Sequence, residues 1–117
     1  MNQNNDLVVD FQKTGRERRL PHEVELSLYR IAQEALNNVA RHSKATRADL
    51  IIDFDVKEIK LDVVDNGSGF DMPKSPTDFA SMGHFGLLGI RERADLIGAR
   101  LAIDSDLGKG TRLTVLL

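Results

Sequence analysis

The chain has 117 residues, with 16 Lys and Arg against 18 Asp and Glu, for a net charge of −2. That is enough for one domain with a core of its own, and the charge balance and lack of a basic block argue against duplex nucleic acid as a partner. There is no cysteine, so disulfides and thiolate metal sites are excluded; no apolar run approaches a membrane span, and the N-terminus MNQNNDL has no signal-peptide core. A soluble cytoplasmic domain is the expectation.

Residues 1–6 read as a disordered tail. Residues 7–11, LVVDF, read as a short strand, and 12–20 as a polar connection around Gly15. Pro21 suits a helix first turn, with Glu23 and Glu25 near its positive end. Val24, Leu28, Ile31, Ala32, Ala35, Leu36 and Val39 then recur at helical spacing, predicting a helix to about Ser43.

Residues 47–56 alternate, with Ala48, Leu50, Ile52, Phe54 and Val56 on one face. Lys57 and Glu58 read as a tight turn. Beyond them Ile59, Leu61 and Val63 point inward, and Lys60 and Asp62 outward, completing a hairpin. Residues 71–85 hold two prolines and read as a long loop. Residues 87–97 read as a helix closed by Gly98, and ARLAID and TRLTVLL as two further strands. The order β-α-β-β-α-β-β predicts an α+β two-layer sandwich: a mixed, mostly antiparallel sheet with helices on one face.

Four features carry possible chemistry. Asp65, at the head of DNGSGF, falls in phase with Ile59, Leu61 and Val63, so its carboxylate points toward the helix layer. Either the following turn satisfies it or it waits for a donor from a ligand. Thr111 is likewise in phase with Leu113, Val115 and Leu117. Glu34, Asn38 and His42 form a stripe at the flank of the first helix. An amide oxygen there suits a hard cation and a carboxylate one turn earlier can order water or accept a proton, although a solvated flank would read the same. In GHFGLLG, residues 83–89, glycines recur every third position at a helix start, where free N–H groups could meet an anion. GKGT, residues 108–111, is either a turn or part of the same pocket. A Walker A loop fails, because Ile103 stands where its first glycine belongs and Gly110 follows Lys109. A dinucleotide fingerprint from Gly67 fails at Met72.

Taken in order, QEALNNVARHSKA, DNGSGF, GHFGLLGIRER and GKGT resemble the N box and three glycine boxes of the Bergerat-type ATP-binding domain. That fold is shared by DNA gyrase, a heat-shock chaperone family, histidine kinases and mismatch-repair proteins. YRIAQEALNNVARHSKA with GHFGLLGIRERA is similar to sensor histidine kinases of the nitrate-sensor and lipid-fluidity-sensor type. The resemblance covers residues 7–117. It implies ATP and Mg²⁺ as cofactors, with Asp65 accepting from the adenine amine, Gly67 and Gly69 forming the turn beside the base, and Thr111 helping to hold adenine. It implies Asn38 as the Mg²⁺ ligand, Glu34 as the acid that orders water or assists proton removal, and His42 and Lys44 near the phosphates. Gly83, Gly86, Leu87 and Gly89 match the second glycine box, and residues 71–85 the ATP lid.

Such kinases place their phosphoacceptor histidine in a helical hairpin, in a motif like E-L-H-D. None of His22, His42 and His84 has that setting. The expectation is a catalytic half that phosphorylates a histidine on a separate dimerisation domain and serves a response regulator indirectly. It should be monomeric alone, without direct membrane contact. A stand-alone serine kinase of the anti-sigma type, or a non-catalytic module, are the alternatives.

Overall fold

In a computed structural model, residues 7–40, 44–67, 85–105 and 108–117 are described. Five strands form one sheet: β1 (Val8–Gly15), β2 (Arg47–Phe54), β3 (Ile59–Asp65), β4 (Arg100–Ser105) and β5 (Thr111–Leu116), in the order β1-β2-β3-β5-β4. β1 is parallel to β2 and every other pair is antiparallel. The two described helices, α1 (His22–Asn38) and α2 (Phe85–Leu96), pack on one face. The expected α+β sandwich and element order are what the fold shows.

The sheet is built in rows. Leu50, Val63, Leu113 and Ile103 stand side by side across β2, β3, β5 and β4, and so do Ile52, Leu61, Val115 and Leu101. Leu28, Ile31 and Ala35 of α1 and Ile90 and Ala94 of α2 close over them to make the core. Alternation along each strand puts one apolar set against the helices.

Local chemistry sets the helix ends. Pro21 caps α1, and Glu25 in its first turn accepts from the Leu20 N–H at 3.0 Å. α2 ends in a Schellman-type turn: Ala99 N–H bonds the Ala94 carbonyl at 2.9 Å, and Gly98 N–H that of Asp95 at 3.1 Å.

Four expectations need correction. β1 does not stop at residue 11: it runs to Gly15, because Gln12 to Gly15 stay paired with Ile51 to Phe54. At its end a Cβ on Gly15 would lie 2.1 Å from the Phe54 carbonyl oxygen, so only glycine fits there. The hairpin turn comprises Val56 and Lys57, since Asp55 N–H bonds the Glu58 carbonyl at 3.0 Å; Val56 is therefore 90% exposed and does not face the core. Asp62 lies on the face away from the helices, as expected, yet is only 3% exposed. Thr114 and Arg112 from the neighbouring strand close over it. The second helix starts at Phe85 and not at 87. The tail 1–6, the end of the first helix at 41–43 and residues 71–84 of the loop lie outside the described residues.

Candidate functional site

The last row of the sheet breaks the apolar pattern. Ala48, Asp65, Thr111 and Ser105 stand side by side at one end, in phase with the apolar rows. The period-two reading of Asp65 and Thr111 as inward is what the structure shows: Asp65 is 8% exposed. Its Oδ1 accepts the Gly67 N–H at 2.8 Å. Burial pushes the Asp65 carboxyl above its ordinary range, and the N–H groups of Gly67 and Thr111 pull it partly back. The acid is thus held by backbone donors, with no cation paired to it among the described residues.

Asn66 has a different task. Its Oδ1 accepts from the N–H groups of both Thr46 and Arg47 at 3.0 Å, and its Nδ2 donates to the Thr46 hydroxyl at 3.0 Å. This ties the exit of β3 to the entry of β2 and fixes where the chain turns beyond Asp65. GKGT is more than a turn: Gly110 has φ of +83°, and a Cβ there would sit 2.2 Å from the Asp65 carbonyl oxygen. The first and third glycine segments are therefore in contact.

A cleft of about 310 Å³ at this end is lined by Asp65, Ser105, Lys109, Gly110 and Thr111 together with Val64, Asp104 and Arg112, the row that faces away from the helices, and by no residue of either described helix. Ser105, Asn66 and Lys109 had not been singled out from the sequence. Ser105 could have been found by the same counting that found Asp65, since it follows Leu101 and Ile103 in phase.

The helices lead to the same end. α1 finishes at Asn38 and the chain re-enters the sheet at Arg47, beside Asp65. α2 finishes at the opposite end, where Arg100 pairs with Leu116. Its twelve residues are about 18 Å long, so its first turn, with Gly86 and Leu87, lies a helix length away from that opposite end. Gly89 lies in the next turn, and a Cβ there would meet nothing within 4 Å.

Glu34 and Asn38 are half-buried on α1. The Asn38 Nδ2 is buried and has no hydrogen-bond partner among the described residues. A buried amide end left so costs about 1–3 kcal/mol. The two ends of an amide exchange by a half-turn, so its oxygen can take that place and ligate a hard cation. No group of three or more His, Cys, Asp or Glu that could hold a metal occurs among the described residues. One amide with phosphate and water oxygens suits Mg²⁺, which keeps much of its hydration. Lys44 is exposed with φ of 58°, in the left-handed region. His42, Gly69 and Gly83 lie outside the described residues.

The profile described as histidine kinase-, DNA gyrase B-, and HSP90-like ATPase matches residues 23–117. The sensor histidine kinase LiaS of Bacillus subtilis (strain 168) is 39% identical over 110 residues, covering 94% of this chain and 28% of that protein. The signal transduction histidine-protein kinase/phosphatase DegS of Brevibacillus brevis is 33% identical over 109 residues, covering 93% of this chain and 27% of that protein. Among solved structures, the Erythrobacter litoralis EL346 blue-light activated histidine kinase superposes with a TM-score of 0.74 at 19% identity, over 97% of this chain and 35% of that one. The chain thus spans less than a third of the length of these two curated relatives.

Proposed function

The chain belongs to the histidine kinase-, DNA gyrase B-, and HSP90-like ATPase family, and from that premise we propose that it is the ATP-binding catalytic domain of a sensor histidine kinase. The observation that carries this reading is the buried Asp65, held by backbone N–H groups alone at the end of an otherwise apolar face. An acceptor in that position suits the 6-amino group of adenine and repels the 6-oxo group of guanine.

Thr111 would hold the same edge of the base, and Gly67 and Gly110 would let the ring lie against backbone. The first turns of α2, with Gly86, Leu87 and Gly89, would offer N–H groups and the positive helix end to the phosphates. Lys44, His42 and Gly83 would join them. Asn38 would hold Mg²⁺, which neutralises charge between the phosphates when bound.

The reaction would be transfer of the γ-phosphoryl group to an imidazole nitrogen on a separate helical domain. The bond between the γ-phosphorus and the bridging oxygen breaks, ADP departs, and the attacking imidazole loses a proton, for which Glu34 is the nearest acid along α1. Positioning and charge neutralisation carry such transfers. The names of the relatives favour histidine over serine as the acceptor. A response regulator would take the group onward. No described helix is long and apolar enough to cross a membrane.

Titration with ATP, with and without Mg²⁺, tests the reading. Asp65→Asn should weaken ATP binding about tenfold or more, whether or not the ion is present. Asn38→Ala should weaken binding only when Mg²⁺ is added. Unchanged affinity in Asp65→Asn would rule out the adenine site.

A further inference from the structure

We propose that the outer edge of β1 is a dimerisation surface, on which a second copy of this chain pairs antiparallel about Phe11 and joins the two sheets into one. This departs from the monomer expected of the isolated chain, and it does not rest on the ATP-binding reading.

β1 ends the strand order, and no described strand pairs with its outer side. The Val8 N–H bonds the Thr46 carbonyl at 2.9 Å, which sets the phase of that edge. In a parallel ladder the N–H and C=O of one residue point the same way, and those of the next point the other way. Val8, Asp10, Gln12 and Thr14 therefore face β2, while Val9, Phe11 and Lys13 turn both backbone groups outward. Edges of this kind are usually guarded by a free charge, a proline or a bulge. β1 has no proline, and its register with β2 is unbroken. Both of its charges are engaged within their own copy, Asp10 with Arg47 and Lys13 with Glu17 at 2.6 Å. Val8, Val9 and Phe11 are 56%, 44% and 60% exposed.

The phase also restricts how two copies can meet. An antiparallel partner must set outward residues opposite outward residues. Val9 and Phe11, which pair with Ala48 and Leu50 on the helix side, then lie on the same face in both copies. Charge chooses among the registers that remain. Centring on Asp10 opposes two carboxylates, and centring on Lys13 opposes two ammonium groups. Centring on Gln12 sets Phe11 against Lys13, and centring on Val9 pairs only the start of the strand. Centring on Phe11 sets ring against ring, Val9 against Lys13 and Asp10 against Gln12, with no like charges opposed. Every outward N–H and C=O of Val9, Phe11 and Lys13 then has a partner. A strand from another protein would need its own match to this edge, whereas a second copy supplies it by two-fold symmetry. Asp65 stands two strands inward, in the row of Val9 and Ala48, so pairing at the edge leaves it uncovered.

Sedimentation equilibrium of the full chain at up to about 1 mM should show an average mass that rises toward the dimer with concentration. Phe11→Asp opposes two carboxylates on the axis and should weaken the association about tenfold or more. The chain has no cysteine, so introduced thiols report the register. Opposite residues that exchange both hydrogen bonds have Cα atoms about 5.5 Å apart, within reach of a disulfide. Phe11→Cys should therefore oxidise to a covalent dimer and Lys13→Cys should not, whereas Val9→Cys mixed with Lys13→Cys should cross-link. The cross-linking series decides the matter by itself should Phe11→Asp fail to fold. A monomer at every concentration overturns the proposal and leaves the edge to a strand of another protein. A dimer that Phe11→Asp does not weaken, or equal cross-linking at positions 11 and 13, overturns it as well.

Discussion

Gly110 lies directly against the backbone of Asp65: a Cβ on Gly110 would come within 2.2 Å of the Asp65 carbonyl oxygen and 3.3 Å of the Asn66 Cα. Gly110→Ala would place a side chain where there is only unyielding backbone. The left-handed φ costs about 1–2 kcal/mol for a residue with a Cβ, and overpacking adds about 1–3 kcal/mol. The expected outcome is a lower thermal midpoint together with weaker ATP binding. An unchanged midpoint would show that the contact yields.

The Asp65 carboxyl is raised from its model-compound value of 3.8, burial being the main cause. A carboxyl raised in this way binds its proton more tightly folded than unfolded. Its ionisation therefore counts against the fold at pH above the folded value, and that cost disappears below the unfolded value. Relative to Asp65→Asn, the wild-type chain should gain stability as pH falls through this window. ATP affinity should move the other way, because a protonated Asp65 loses an acceptor. Denaturation and ATP titration from about pH 8 to about pH 4.5 check both slopes.

Asp62 is buried on the opposite face, where the Thr114 hydroxyl donates to it at 2.5 Å, the Arg112 Nη2 at 3.1 Å, and Lys60 stands at 3.8 Å. Asp62→Ala should destabilise the chain by about 1–3 kcal/mol, because it strands the hydroxyl and the guanidinium. Its effect on ATP affinity should be small. A large loss of binding at unchanged stability would mean that the two faces of the sheet are coupled.

A Cβ on Gly89 would meet nothing within 4 Å among the described residues. In a helix interior Gly89→Ala should stabilise the fold by about 0.5–1 kcal/mol. If phosphates approach this turn, ATP affinity should fall in the same variant. Thermal shift without nucleotide and titration with it should therefore disagree in sign. Agreement would move the phosphates elsewhere.

Glu25 accepts from the Arg19 Nε at 2.9 Å, the Arg19 Nη2 at 3.0 Å and the Leu20 N–H at 3.0 Å. The Arg19 guanidinium first, and the Leu20 N–H second, hold its carboxyl below the usual range. A lowered carboxyl supports the fold above the unfolded value and loses that support as pH falls through the folded one. Glu25→Gln should melt below the wild type at neutral pH, and the two should converge in acid.

Alternation was a good guide wherever one sheet face is buried. It placed Asp65 and Thr111 on the helix side, and the two pair across β3 and β5 as that phase requires. It misled at Val56, where the apolar rhythm continues one step past the hairpin ladder. It was silent at residues 12–15, because an exposed edge strand gains its order from backbone pairing with β2 and needs no apolar face. The seclusion of Asp62 came from neighbours fifty or more positions along the chain.

The sequence by itself determined the element order, the family's glycine segments and the inward acid, because side-chain phase and turn chemistry are local properties. Only the tertiary structure decided that Gly110 seats Asp65, that Asn66 ties β3 to β2, and that the Ser105 and Thr111 hydroxyls meet at 2.8 Å. Those contacts join segments remote in the chain. They exist only after strand register has set atoms from different elements within hydrogen-bonding reach.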